Sequence, residues 1–167
     1  MPKIEIDKQA FYSLLNEKPD NDTLEKELVC AKAELDEDMA EEGVLKIELN
    51  DTNRPDLWST AGLVRQMKLY KGMDIPSYSF FTDKKARQTE EREVHVDKGL
   101  KNIRPYIAAF AVSGKALDEA MLNDIIQTQE KLCWNFGRKR SSVAMGVYRE
   151  DLFTYPVQYN AADPDNT

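Results

Sequence analysis

The chain has 167 residues, 41% of them hydrophobic and 32% charged, a composition that supplies a buried core and excludes a collagen-like or low-complexity protein. Its 23 Lys and Arg against 30 Asp and Glu give a formal net charge of −7, which excludes nucleic-acid binding through a basic excess over the whole chain. The longest apolar run, Tyr106 to Val112, is much shorter than the ~20 residues of a membrane span, and no apolar signal segment follows Met1, so we expect a soluble cytoplasmic chain with no membrane contact.

Two strands and two short helices are predicted within the first fifty residues. Apolar and charged residues alternate as in strands over 2–7 and 44–49. The two helices are predicted over 9–16, where apolar residues recur at helical spacing, and over 22–27. Thr23 is a candidate N-cap of the second helix. Six acidic residues between Glu34 and Glu42 suggest a divalent-cation site, but they lack the glycine spacing of a calcium loop, which favours a solvated acidic loop between strands.

The segment Asn50 to Leu57 (Asn-Asp-Thr-Asn-Arg-Pro-Asp-Leu) predicts a tight turn followed by a helix. Asn and Asp side chains around a proline form turns that satisfy their own backbone. An apolar face continues to about Lys71, and either Asp56 or Ser59 is placed to cap this helix, which we expect to begin near Leu57. We expect a structural unit in which four side chains hold the turn, cap the helix or brace the junction: Asp51, Asn53, Arg54 and Asp56.

The second half of the chain predicts a connector and then a mixed α/β segment. Residues 74–102 have weak periodicity, include a candidate edge strand over 75–81, and are interpreted as a connector with a hairpin. Beyond it, the patterns predict a strand buried on both faces over 106–112 and a helix over 122–136 that ends at Gly137. Two further strands are predicted over 143–148 and 155–159. The expected fold class is therefore α+β, with a small strand–helix N-terminal domain before this mixed α/β segment.

The side chains that usually bind metals or act as nucleophiles are few. Neither Cys30 nor Cys133 belongs to a C-x-x-C pair, so a structural zinc site has no ligand set, and we predict two inert buried thiols. His95 alternates with valines in a strand-like run, which favours a surface imidazole. A Cys133–His95 dyad remains an alternative to both interpretations.

Three consecutive cations, Arg138, Lys139 and Arg140, follow the predicted helix. They are candidates for phosphate contacts with RNA, with Trp134 and Tyr148 nearby in sequence as stacking groups. The alternative is a solvated helix end, where positive charge suits the helix dipole. The residue pattern alone leaves both interpretations open, and it contains no identifiable catalytic constellation.

Motifs in both halves of the chain are similar to those of one known family. In the first half, the segment Leu45 to Leu57 precedes Gly62-Leu63-Val64-Arg65, and the opening Pro2-Lys3-Ile4-Glu5-Ile6 lies upstream. The second half contains five further matches, namely Ile103-Arg104-Pro105-Tyr106, Gln129-Glu130-Lys131-Leu132, Gly137-Arg138-Lys139-Arg140, Met145-Gly146-Val147-Tyr148 and Asp163-Pro164-Asp165. The segment Leu45 to Leu57, together with Gly62 to Arg65, resembles the N-R-x-D-L…G-L-x-R motif of the phenylalanine–tRNA ligase β subunit. The opening resembles the archaeal and eukaryotic type of that subunit, and the later motifs resemble the start of its editing domain.

The resemblance implies a division into an N-terminal β-subunit domain, a connector with a hairpin, and the first part of a tRNA-editing domain: 1–73, 74–102 and 103–167. It implies that the complete enzyme is an α2β2 heterotetramer with an α subunit, which uses ATP and Mg²⁺ to attach phenylalanine to tRNA-Phe. The β subunit then supplies tRNA contacts, a scaffold and editing of wrongly attached tyrosine. Editing is needed because an apolar pocket rejects an analogue with one added hydroxyl only modestly.

The resemblance carries no catalytic, cofactor-binding or metal-binding residue onto this chain, because the family's editing pocket lies mostly in the later half of the editing domain. We expect the chain alone to be non-catalytic and monomeric or weakly associating. The alternative is a stand-alone RNA- or protein-binding module that is related to these domains.

Overall fold

Helices and strands are mixed along the chain, which confirms the expected α+β class. The computed structural model describes residues 2–39, 41–50, 53–75, 77, 92–114, 116–163 and 165. The chain divides into two compact units, each built from two stretches: Met1–Pro76 with Ala116–Val147, and Ser77–Lys115 with Tyr148–Thr167. The predicted domains, 1–73, 74–102 and 103–167, follow one another along the chain. The compact units differ from them, because the second half of the chain contributes to both units.

The first unit contains a three-stranded antiparallel sheet. Its strands β1 (Lys3–Asp7), β2 (Ala33–Met39) and β3 (Val44–Leu49) lie in the order β1-β3-β2. In β1, Ile4 and Ile6 are fully buried while their neighbours are exposed, because successive side chains of a strand point to opposite faces. The predicted strands at 2–7 and 44–49 are confirmed.

Most of the acidic segment lies in the strand Ala33–Met39, so the prediction of a solvated loop over 34–42 is wrong for residues 34–39. Lysines neighbouring β2 pair with its carboxylates, which offsets the repulsion among these carboxylates. The paired nitrogen and oxygen atoms lie 2.7–3.0 Å apart in Lys3–Asp36, Lys8–Asp38 and Lys46–Glu37. The register shifts between Leu35 and Glu37, which marks a β-bulge in this strand.

Three helices complete the core of the first unit: α1 (Lys8–Leu15), α2 (Asn21–Leu28) and α3 (Thr60–Tyr70). Their buried side chains, such as Phe11, Leu24 and Leu63, form one cluster with the buried face of the sheet. The carboxylate of Asp20 accepts a hydrogen bond from the Thr23 backbone N–H at 2.8 Å, so Asp20, and not Thr23, is the N-cap of α2.

The helix predicted in the second half is confirmed as α4 (Glu119–Lys131), which continues into a π-helical turn, Leu132–Phe136. None of the described residues of α4 itself is buried. Polar contacts attach the helix to the N-terminal stretch of the first unit. The Gln127 side-chain amide bonds the backbone N–H and C=O of Glu5 (2.7 and 3.0 Å), and Thr60 donates its backbone N–H and hydroxyl to Asp124 Oδ1 (2.9 and 2.8 Å).

The second unit contains one parallel strand pair, β4 (Val94–Val96) with β5 (Val157–Tyr159), among its described residues. The predicted strands over 106–112 and 143–148 are wrong: these residues are irregular, and Tyr106 and Phe110 are 90% and 86% exposed. A strand needs a neighbour for its backbone hydrogen bonds, and no strand of the described chain pairs with 106–112. The predicted edge strand over 75–81 lies almost wholly outside the described residues. Across the described residues, no helix is both long and apolar enough to cross a membrane.

Candidate nucleic-acid interface

The turn after α4 is held by backbone hydrogen bonds that fold the chain back on the helix end. The N–H groups of Gly137, Lys139 and Arg140 donate to the carbonyls of the π-helical turn, at N–O distances of 2.7, 2.9 and 2.8 Å. A β-carbon at Gly137 would lie 2.2 Å from the Val143 carbonyl oxygen and 2.5 Å from that of Cys133. Glycine is therefore required at 137 by close backbone packing.

The three cations after Gly137 have left-handed backbone conformations. The φ angles of Arg138, Lys139 and Arg140 are 49°, 56° and 69°. Side chains with a β-carbon disfavour this region by about 1–2 kcal/mol per residue, and consecutive examples are unusual because only glycine enters it freely. All three side chains are exposed. Cations are thus held on the surface in a backbone conformation that their residue types disfavour, and such strain concentrates at functional sites.

Two exposed aromatic residues flank this basic turn. Trp134 is 61% exposed, and the Lys139 ammonium lies 5.5 Å from its ring centroid, which is a cation–π contact. Phe136 is 52% exposed. Tyr148, the other stacking candidate from the sequence, belongs to the second unit, where its ring meets Phe153 edge-on at 5.7 Å.

An open groove of about 670 Å³ lies beside the basic turn. Its lining residues are Asn53, Asn135, Phe136, Arg138, Ser142 and Val143. The structure therefore brings together two sequence-predicted sites, because Asn53 comes from the Asx-rich turn and Arg138 from the basic turn. Helical periodicity places Phe136 on the same predicted buried face as Leu122 and Ile126, whereas the structure leaves all three side chains exposed.

The Asx-rich turn supports this groove from the side of α3. Arg54 donates two hydrogen bonds to the Asp56 carboxylate, both at 2.9 Å, and a third to Gln66 of α3 at 3.2 Å. The guanidinium hydrogen bonds hold the pKa of Asp56 below its ordinary value. Asp51 lies outside the described residues.

The N-cap of α3 is Ser59, whose hydroxyl accepts the Gly62 N–H at 3.1 Å. The other capping candidate, Asp56, pairs with Arg54. The helix begins at Thr60, after a 3₁₀ turn over Pro55–Leu57. A β-carbon at Gly62 would lie 1.7 Å from the Asp56 carbonyl oxygen. The turn and the first turn of α3 are therefore in direct backbone contact.

Cysteine and histidine contacts are local. The Cys133 sulfur is buried and accepts the Met145 N–H at 3.0 Å, while Cys30 is half-buried, and burial raises the pKa of its thiol. His95 Nε2 lies 3.0 Å from Glu93 on an exposed surface. These partners give the Cys133–His95 dyad no support. No cluster of three or more His, Cys, Asp or Glu that could hold a metal occurs among the described residues.

Comparison with known proteins gives the same family from sequence and from structure. Residues 1–73 match the family model described as the Phe-tRNA synthetase beta subunit B1 domain. A phenylalanine–tRNA ligase beta subunit from Borreliella afzelii is 42% identical over 166 residues, which cover 99% of this chain and 29% of that protein. A protein of the same name from Treponema pallidum is 39% identical over 201 residues, with 96% of this chain and 33% of that protein covered. The chain thus spans about a third or less of the length of these curated relatives.

A solved structure has the same fold over almost the whole chain. It is a crystal structure of an N-terminal fragment of the phenylalanyl-tRNA synthetase beta subunit from Pyrococcus horikoshii, and it matches with a TM-score of 0.82 and 36% sequence identity. The match covers 97% of this chain and 46% of that one. Because sequence identity and fold agree along nearly its entire length, the chain belongs to the phenylalanine–tRNA ligase β-subunit family and corresponds to the N-terminal part of such a subunit.

Proposed function

We propose that this chain is a non-catalytic scaffold and tRNA-contacting part of phenylalanine–tRNA ligase, the enzyme that attaches phenylalanine to tRNA-Phe with ATP and Mg²⁺. Its partners are the α subunit, in an α2β2 heterotetramer, and tRNA-Phe, and its compartment is the cytoplasm. Family membership supports this proposal. Residues 1–73 serve as the N-terminal domain, 74–102 as a connector, and 103–167 as the start of the domain that edits mischarged Tyr-tRNA.

The basic turn is the observation that carries the tRNA contact. Arg138, Lys139 and Arg140 place three exposed cations side by side on a chain whose net charge is −7. A solvated helix end needs no left-handed backbone at three successive residues, because flexible cations reach the C-terminal carbonyls of a helix from ordinary conformations. Local positive charge on an acidic chain favours a phosphate ligand.

The test is the salt dependence of tRNA-Phe binding by the complete heterotetramer. We compare the wild type with a variant that carries Arg138→Ala, Lys139→Ala and Arg140→Ala. Each phosphate contact that is lost should flatten the slope of log affinity against log salt by a little under one unit, because fewer counterions are released.

A charge-matched control carries Lys18→Ala, Lys98→Ala and Lys101→Ala, which removes three exposed cations at other places. The control should keep the wild-type slope. A slope that is the same in all three proteins would rule the phosphate contact out and leave the basic turn as a solvated helix end.

A further inference from the structure

We infer that the groove beside the basic turn binds one unpaired nucleotide of an RNA strand, with the base stacked on Phe136 and the phosphate bound by Arg138. This inference rests on the proposed tRNA contact and adds the chemical form of the ligand. The juxtaposition of a half-exposed aromatic ring, a guanidinium and two carboxamides in one groove is the observation that carries it.

The lining groups match the parts of a nucleotide. The Phe136 ring is 52% exposed and offers a flat apolar surface, on which any base can stack. Arg138 supplies a planar cation for phosphate oxygens. Asn53 and Asn135 carry amide groups that both donate and accept hydrogen bonds, as the edges of unpaired bases do.

The charge of the groove also favours an anionic ligand. None of its described lining residues is acidic. A second groove of the first unit has a different character. It has a volume of about 570 Å³ and is lined by the acidic residues Glu5, Asp36 and Glu130 besides lysines. Lys3 in that groove already pairs with Asp36 at 3.0 Å. Carboxylates there compensate the lysines, whereas Arg138 faces no carboxylate among the residues that line its groove.

The walls of the groove are fixed by backbone contacts. Gly137 packs against the Val143 carbonyl, and the Ser142 N–H donates to the Gly137 carbonyl oxygen at 2.9 Å. On the other side of the turn, the Cys133 sulfur accepts the Met145 N–H at 3.0 Å. A volume of about 670 Å³ is also within the range of about 300–1,000 Å³ that is usual for small-molecule sites. A preformed groove of this size loses little conformational freedom when a ligand enters.

The experiment measures binding of a tRNA-Phe transcript to the complete heterotetramer at several salt concentrations. Phe136→Leu removes the stacking ring and keeps an apolar side chain. It should weaken binding about 5-fold to 150-fold, as expected for the loss of one stacked base, with the salt slope unchanged. Phe136→Tyr keeps a ring and should bind within about twofold of the wild type. Tyr70→Leu, which changes an exposed aromatic residue outside the groove, should have no effect.

The outcomes separate this inference from the proposed function. If the Arg138–Arg140 triple variant flattens the slope while Phe136→Leu binds as the wild type does, the tRNA contact stands and the nucleotide groove is overturned. Weakened association of α with β at unchanged tRNA affinity of the assembled enzyme would instead identify a protein-binding surface, and would also overturn it. If neither variant changes binding, both proposals fail.

If Phe136→Leu lowers the melting temperature, Asn135→Ala provides a second test at an exposed residue of the same groove. Weaker binding and an unchanged salt slope are expected for this variant.

Discussion

At the scale of single residues, the left-handed backbone of the basic turn has a measurable consequence for stability. Arg138 has a φ of 49°, which glycine adopts without the steric penalty of a β-carbon. Arg138→Gly removes this penalty of about 1–2 kcal/mol. It also costs about 0.4–1 kcal/mol of stability, because glycine raises the backbone entropy of the unfolded chain. We therefore expect the variant to be more stable by up to about 1.5 kcal/mol in denaturant unfolding.

Lys131→Gly is the matched control for this prediction, because Lys131 has a φ of −61° at the end of α4. Glycine at a helical position should destabilise the chain by about 1 kcal/mol. If both glycine variants lose stability equally, the left-handed turn is not the native conformation of Arg138.

At the scale of elements, the Arg54–Asp56 pair between β3 and α3 makes stability depend on pH. The pKa of Asp56 is lowered from 3.8, chiefly by the hydrogen bonds from Arg54. A group whose pKa is depressed in the fold contributes stability above its unfolded pKa and loses that contribution as the pH falls through the folded value. Asp56→Asn should thus be less stable than the wild type at pH 7, by less than about 1 kcal/mol because the pair is exposed, and this difference should shrink as the pH falls below 3.8.

Thermal melts between pH 2 and pH 7 check this expectation. Arg54→Ala should reduce the pH dependence as Asp56→Asn does, and the double variant should lose no more than either one, because both changes remove the same interaction. A stability difference between wild type and Asp56→Asn that persists unchanged at pH 2 would contradict the assignment.

At the scale of the whole molecule, the proposed function predicts that the 167-residue chain has no enzymatic activity of its own. We expect no ATP–pyrophosphate exchange with phenylalanine and no deacylation of Tyr-tRNA, because the resemblance places aminoacylation on the α subunit and assigns no editing residue to this chain. The complete heterotetramer serves as the positive control in both assays. Exchange above background by the purified chain would contradict the prediction.

The family and much of the first unit could be predicted from the sequence. The resemblance to phenylalanine–tRNA ligase β subunits is confirmed by relatives that cover 99% of the chain. Strands β1 and β3 and helices α1 and α3 follow from local periodicity, which reports the faces that an element buries. Helix α4 also follows from helical spacing, although none of its described residues is buried. The helix caps do not follow from the sequence, because Thr23 and Asp56 have side chains that could make the same hydrogen bonds as the observed caps Asp20 and Ser59.

What the sequence determined by itself was therefore the family, the fold class and the elements whose burial follows a local period. Tertiary structure alone decided three features: the pairing of acidic β2 with lysines of neighbouring elements, the exposure of the apolar run 106–112, and the meeting of Asn53 with Arg138 in one groove. The physical reason is the same in each case. Hydrogen bonding between strands, charge compensation and burial depend on which distant residues become neighbours, and periodicity along one segment contains no information about those neighbours.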